Sequence, residues 1–172
     1  MDVSQLFPQV YEELRGLAAV HFRGESSGIT LQPTVIVHEV YLRLSSSMGL
    51  SINNRAHFLR LASRVMRQVL IDHARARTAD KRGSNMQRVS LTGIDSENPD
   101  GILDALDLEA ALIHLTAVNT RRADLVELRF YGGLTMEEAA EALEISLETA
   151  KREWRIARAW LARELASESK HS

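Results

Sequence analysis

The chain has 172 residues, 45% of them apolar and 26% charged, and a net charge of −2, a soluble globular composition with room for one ordinary domain or two small ones. The absence of cysteine excludes disulfides and thiolate metal sites and points to a reducing cytoplasm. No apolar run approaches the roughly 20 residues that cross a bilayer, and the opening MDVSQLF lacks the basic stretch and apolar core of a signal peptide.

Aromatic residues make up 5% of the chain, and Leu, Ala, Arg and Glu dominate, which favours helices over sheets. A first helix is expected over Ser4–Phe22, with Leu6, Val10, Leu14, Leu17 and Ala18 on one face. The small and polar residues of Gly24–Thr30 end it in a turn. A second helix begins near Pro33, a residue suited to the first turn, and carries Ile36, Val37, Val40, Tyr41 and Leu44 inward. Ser45-Ser46-Ser47 and the stretch to Asn54 form a loop.

A third, long helix is expected from Arg55 to Arg82. At about 100° per residue, Phe58, Ala62, Val65 and Val69 share one side. Arg60, Arg64, Arg67 and Arg75 form a narrow stripe on the other. A merely solvated face usually mixes signs to gain i,i+4 pairs. This stripe does not, which favours a binding surface. The following segment, Gly83–Gly101, is turn-rich, acidic towards its end and without periodicity, as a linker is. Helices are then expected over Asp104–Leu115 and Arg121–Tyr131, the latter stopped by Gly132-Gly133.

The small net charge hides a pattern. Arg55, Arg60, Arg64, Arg67, Arg75, Arg77, Lys81, Arg82 and Arg88 face only Asp72 and Asp80 in the same stretch, and a second basic run lies between Lys151 and Arg163. Between Ile94 and His114 there are acids and no Lys or Arg. Local basic patches, rather than total charge, set the electrostatic footprint for DNA.

The last 40 or so residues carry the most specific signal. Thr135 with Glu138 three positions later is a capping box, which starts a helix over Met136–Leu143 with Ala139, Ala140 and Leu143 inward. Glu144-Ile145-Ser146 forms a short turn, and Ser146 can cap the next helix. There Leu147, Ala150, Trp154, Ala157, Leu161 and Leu165 make one apolar stripe, opposite Glu148, Lys151, Arg152 and Arg155. A short helix, a tight turn and a second helix with basic side chains on its exposed first turns is the helix-turn-helix arrangement. A plain helical hairpin with a charged surface is the bland alternative. The adjacent small residues Ala139 and Ala140, which permit a close crossing, favour the DNA-binding one.

FYGGLTMEEAAEALEISLETAKREWRIARAWLARELA closely resembles the promoter-binding C-terminal domain of sigma-70 family factors. NRAHFLRLASRVMRQVLIDHARARTADKRG, preceded by LQPTVIVHEVYLRL, resembles their N-terminal domain. Both in this order, with a short linker between them, are similar to the extracytoplasmic-function (ECF-like) sigma factors. The resemblance implies an all-α chain of two small helical domains: residues 1–82 for core polymerase and the −10 element, a linker over 83–103, and residues 104–172 for the −35 element. It implies core RNA polymerase and promoter DNA as partners, with an anti-sigma factor or other regulator as a further one, and no cofactor or metal.

By position, His38, Glu39, Tyr41 and Arg43 match the segment that docks on the polymerase clamp. Asn53, Asn54, Arg55 and His57 lie in the loop that captures a flipped −10 base, and Arg60, Arg64 and Arg67 on the surface where strands separate. Glu148, Thr149, Lys151, Arg152, Arg155 and Arg158 fall on the recognition helix. Many relatives carry an acidic pair just before the docking helix, where this chain has Thr34-Val35.

An enzyme is disfavoured. His38-Glu39 begins like a zinc-protease motif, but the second ligand position is Leu42. Asp72 and His73 are adjacent on a helix, so they point about 100° apart, and no third group accompanies them. A second alternative is a helix-turn-helix regulator that acts without polymerase, against which the cationic long helix argues. A third, an anti-sigma or other polymerase-binding protein, has no need of a recognition helix. The opposite charges of the two domains lead to a further expectation, that they pack together in the free protein and hide DNA-facing surface.

Overall fold

The computed structural model describes residues 2–21, 32–47, 51–80, 88–90 and 102–168. In chain order these form α1 (Val3–His21), α2 (Pro33–Ser46), α3 (Arg55–Asp80), β1 (Arg88–Ser90), β2 (Ile102–Asp104), α4 (Ala105–Val118), α5 (Thr120–Phe130), α6 (Met136–Ala142) and α7 (Leu147–Glu168). The architecture is all-helical apart from the short antiparallel β1–β2 ladder, in which Arg88 pairs with Asp104, Val89 with Leu103 and Ser90 with Ile102. Helix ends fall within about three residues of the expected ones, the usual scatter of fraying termini with a little more at α4. The expected turn at Gly24–Thr30 lies outside the described residues, as do Met48–Leu50 in the loop. No described helix is long and apolar enough to cross a membrane.

The periodic positions bury as their spacing requires. Leu6, Val10, Leu14 and Ala18 of α1 and Ile36, Val37, Val40 and Leu44 of α2 are buried, as are Phe58, Ala62 and Val69 of α3, while Leu17, Tyr41 and Val65 are half-buried against them. α2 begins at Pro33, which gives up no hydrogen bond there because first-turn N–H groups have no helical partner. The ends of the segment read as a linker, Arg88–Ser90 and Ile102–Asp104, satisfy their backbone groups by pairing with each other. The rest of that segment lies outside the described residues.

One expectation needs correction. α3 was expected to have a single buried face with its arginine stripe in solvent, but it is buried along a second strip, through Leu59, Ser63, Met66 and Leu70. It therefore lies centrally, touching α1 and α2 on one side and α4, α5 and α6 on the other. The physical reason is a shared core: buried residues of both halves form one hydrophobic cluster.

The tightest point of that contact is the turn after α5. Gly133 has φ 62, the left-handed region where a Cβ is disfavoured, and its missing side chain leaves room for Leu17 of α1. A Cβ on Gly132 would collide with Ser63 Oγ of α3 and come within 2.7 Å of the Leu128 carbonyl oxygen. Gly132→Ala is therefore expected to destabilise the protein by about 1–3 kcal/mol, the usual cost of overpacking. Thermal unfolding checks this, and an unchanged midpoint would show that the α3–α5 contact is looser than described.

Candidate nucleic-acid interface

The helix-turn-helix is assembled from local signals. Thr135 has extended dihedrals, its hydroxyl accepts from the Glu138 N–H at 3.1 Å, and its own N–H donates to Glu138 Oε2 at 2.8 Å. The capping box is complete. The backbone hydrogen bond from Thr135 holds the Glu138 carboxyl below the usual carboxylate range; burial opposes this, and the Arg55 guanidinium adds to it. Ala139 and Ala140 are buried at the crossing. Glu144 turns the chain at φ 55, and Ile145 is half-buried in the angle between the helices. Ser146 Oγ accepts from the Thr149 N–H at 3.1 Å and donates to Thr149 Oγ1 at 2.8 Å. Ser146 is thus the cap of α7, and the Thr149 hydroxyl is engaged in that cap.

The inner face of α7 is fixed by Ala150, Trp154, Ala157 and Leu161, all buried, with Leu147 and Leu165 half-buried. Glu153 is also buried, and it accepts from Arg122 Nε at 2.6 Å, tying α7 to α5. Its shortest ion pair is thus inward, to α5, and only its other oxygen lies towards Arg152. Arg129 sits below the motif: one guanidinium N–H donates to the Leu134 carbonyl at 2.7 Å, and its carbon lies 5.2 Å from the centre of the Trp154 ring. Burial disfavours its charged form, and Glu137 favours it. Glu148, Lys151, Arg152 and Arg155 are exposed on the opposite face and Arg158 is half-buried. Lys151 and Arg155 have no carboxylate partner among the described residues, and Arg152 has Glu153 at 3.7 Å. The chemistry on offer is a row of exposed cations on one face of a capped helix.

The second basic surface is occupied. Arg60 donates to Asp124 at 3.2 Å. Arg64 lies 3.7 Å from Asp124 and 3.4 Å from Glu127. Arg67 donates to Glu109 at 2.7 Å and Glu127 at 2.8 Å. Burial works against the Arg67 charge, but its hydrogen bonds to Glu109 and Glu127 and their proximity outweigh burial and raise its pKa above the ordinary value. Arg75, at the end of the stripe, stays exposed. Arg55 donates to Glu13 at 2.8 and 2.9 Å and to Glu138 at 2.9 Å, so it joins α1, α3 and α6.

The loop before α3 divides by role. Asn54 Oδ1 accepts from the His57 N–H at 2.8 Å and caps α3, while His57 Nδ1 accepts from the Asn53 N–H at 3.3 Å. Ile52 is buried and anchors the loop. The Asn53 side chain is exposed and has no hydrogen-bond partner among the described residues. On α2, Glu39 accepts from Arg43 at 2.6 Å and meets His73 at 3.0 Å, and Arg43 also reaches Asp72 at 2.9 Å. These four residues lock α2 to α3. His38 is exposed, and the Tyr41 ring packs on Phe7 with centroids 4.7 Å apart.

Sequence reasoning missed Val35 and Leu42, which are 53% and 64% exposed and flank His38. The signal was available: positions 35, 38 and 42 share a helical face that none of the inward residues occupies. Among the described residues no group of His, Asp or Glu is placed to hold a metal ion.

A family model described as ECF sigma factor matches residues 2–167 of the chain. Neither a curated protein nor a solved structure matches it.

The capping box yields a pH expectation. Because the folded Glu138 carboxyl titrates below its unfolded value of about 4.3, its contribution is present above that value and fades as pH falls towards the folded one. Glu138→Gln should unfold at lower temperature than the parent near neutrality. The gap should close in acid below the ordinary carboxylate range. A constant gap across pH would place the stabilisation in uncharged contacts.

Proposed function

Because the chain belongs to the ECF sigma factor family, we propose that it binds core RNA polymerase and directs it to initiate transcription at specific promoters. The observation that carries this reading is the exposed row of Lys151, Arg152 and Arg155 on a capped helix whose other face is buried. Such a helix can enter the major groove of duplex DNA, with Arg reading guanine edges and Lys pairing with phosphate. Glu148, Thr149 and Arg158 border the row, with Thr149 committed through its hydroxyl to the helix cap.

The docking surface for core polymerase is proposed on α2, where His38 stands between the exposed Val35 and Leu42, beside Phe7 and Tyr41. Glu39 and Arg43 serve it by holding α2 against α3 rather than by free charges. For the −10 element, Asn53 offers an uncommitted amide that can pair with the Watson–Crick edge of an unstacked base. Asn54 and His57 shape the loop that presents it. Arg55, Arg60, Arg64 and Arg67 are proposed to meet the separated strands once their carboxylate partners are withdrawn. The phosphodiester chemistry belongs to the polymerase. The cytoplasm, where core polymerase resides, is the proposed location, and an anti-sigma factor is a further proposed partner.

Run-off transcription with core polymerase from the native host tests this directly. Start at a defined promoter is expected; a folded protein that fails to bind core would overturn the sigma reading in favour of a regulator acting alone. A promoter library then assigns the surfaces. Arg152→Ala or Arg155→Ala should lower −35 discrimination by about 1–3 kcal/mol if either makes a bidentate base contact, and Lys151→Ala should weaken all sequences alike and reduce the salt dependence. Exchange of residues 51–57 for the loop of another such factor should shift −10 preference alone. Identical −10 preferences would reduce this loop to a helix cap.

A further inference from the structure

We propose that the acidic face of α4 and α5 acts as an intramolecular substitute for nucleic acid, closing the free protein to single strands while leaving it open to duplex DNA. The proposal rests on the reading of α3 as a strand-contacting surface. Its evidence is the selectivity of the cover.

Arg60, Arg64 and Arg67 span roughly 10 Å of α3, and every one of them faces a carboxylate of the second half: Asp124, Glu127 or Glu109. Asp124 and Glu127 are three residues apart on α5, so they lie on one helical face. They present to the arginines the sign of charge that a phosphate chain carries. The match is also balanced, three cations of α3 against three anions of α4 and α5, so the cluster itself carries no net charge. Glu127 is the most enclosed member, with a side chain 9% exposed between Arg64 and Arg67. A further clasp joins the base-capture loop to the helix-turn-helix, since Arg55 reaches Glu138 of α6.

The cations of α7 are treated differently. Lys151, Arg152 and Arg155 remain exposed in the same molecule. Among the described residues the one ion pair of that row is with Glu153, which lies 3.7 Å from Arg152 and is bound more closely by Arg122. On α3, by contrast, Arg60 and Arg67 are held at hydrogen-bond distance and the half-exposed Arg64 lies between two acids. The closed form can therefore meet duplex DNA through α7, whereas single-stranded DNA has to displace Asp124, Glu127 and Glu109 from α3. That imposes an order on promoter engagement: duplex contact first, strand contact only after α4 and α5 leave α3.

The exchange is energetically suited to a switch. Partly buried ion pairs gain little over their hydrated ions, so replacing carboxylates by phosphates leaves the electrostatic balance of the arginines nearly unchanged. What has to be supplied on opening is cover for the apolar residues of the seam.

The test uses the full chain and a fluorescein-labelled oligonucleotide of mixed sequence, as a single strand and as a duplex, with no polymerase present. Asp124→Asn with Glu127→Gln removes the two anions without changing shape. Helicity by circular dichroism confirms folding, and small-angle scattering reports compaction. The expected result is about a tenfold gain in single-strand affinity, duplex affinity changed by less than twofold, and a larger radius of gyration. Asp124→Asn alone, at a less enclosed position, should give the same pattern at smaller amplitude and serves if the double variant loses helicity. An equal gain for both forms of DNA would overturn the proposal, because it would reflect only the lost negative charge, and so would no gain from folded variants. Core binding is measured separately: its absence would remove the sigma reading, whereas a single-strand gain would still establish the closure.

Discussion

The guanidinium of Arg67, held between Glu109 and Glu127, fixes how the two halves of this protein meet. Its side chain is 17% exposed, too enclosed to remain unpaired, since an uncompensated charge at such depth costs several kcal/mol. Both carboxylates must therefore stand where they do, and they come from different helices, α4 and α5. That requirement sets the register of α3 against the second half, and the rest of the contact follows. Ser63 lies one turn from Arg67 on α3 and meets the turn after α5, where only glycine fits at position 132. Tyr131 beside it is buried within reach of the same charges; burial above all pushes its phenol pKa far up and keeps it neutral. No negative charge is added to a cluster that already matches Arg67 with two acids.

The two basic surfaces owe their different fates to what surrounds them. On α7 the cations sit on a helix whose inner face is already complete, through Trp154, Ala157 and Leu161 packing on its own half and Glu153 bound to Arg122. Ile156, 39% exposed beside Arg155, is the large apolar side chain left in water there; Trp154, Ala157 and Leu161 stay covered. On α3 the arginines run beside Leu59, Met66 and Leu70, and Ile71 is 4% exposed in the midst of them. It shares a polar crevice with Arg64, Arg67, Glu109 and Glu127. The cover over the arginines is therefore also a cover over hydrophobic surface.

The local chemistry of this fold was legible in the sequence. The capping box at Thr135 and Glu138, the Ser146 cap and the apolar stripe of α7 all depend on neighbours within four residues, and each formed as the spacing required. The family followed from the same segments. Less legible was what a face meets at long range. The α3 stripe read as solvent-facing because its cations have no acids at i,i+4, but the missing acids lie about 40–65 positions away in sequence, on α4 and α5. One residue did carry the warning. Ile71 falls four positions after Arg67 and seven after Arg64, within the cationic stripe itself. An isoleucine there makes little sense on a face open to water. On α2 the reverse holds: Glu39 and Arg43 match the expected docking positions, yet they pair with each other and with His73 and Asp72 of α3, and the exposed residues flanking His38 are the apolar Val35 and Leu42.

That contrast bears on how such a molecule can open. If the seam were ionic alone, salt or a polyanion would suffice, because the arginines would accept phosphate in place of carboxylate at small net cost. Uncovering Ile71 and its neighbours is different. Each buried aliphatic side chain returned to water costs about 1.5–3 kcal/mol, and no phosphate chain repays that. Bases do have the required character, since their faces stack on apolar side chains, but only after they have left the duplex. A partner that grips the first half and the second half at separate places can hold them apart until then. The exposed apolar residues Val35 and Leu42 are on α2, which packs chiefly on α1 and α3, while the Arg67 cluster joins α3 to α4 and α5. A partner can therefore bind them without first breaking the Arg67 cluster, and the separation of the halves can follow from docking instead of preceding it.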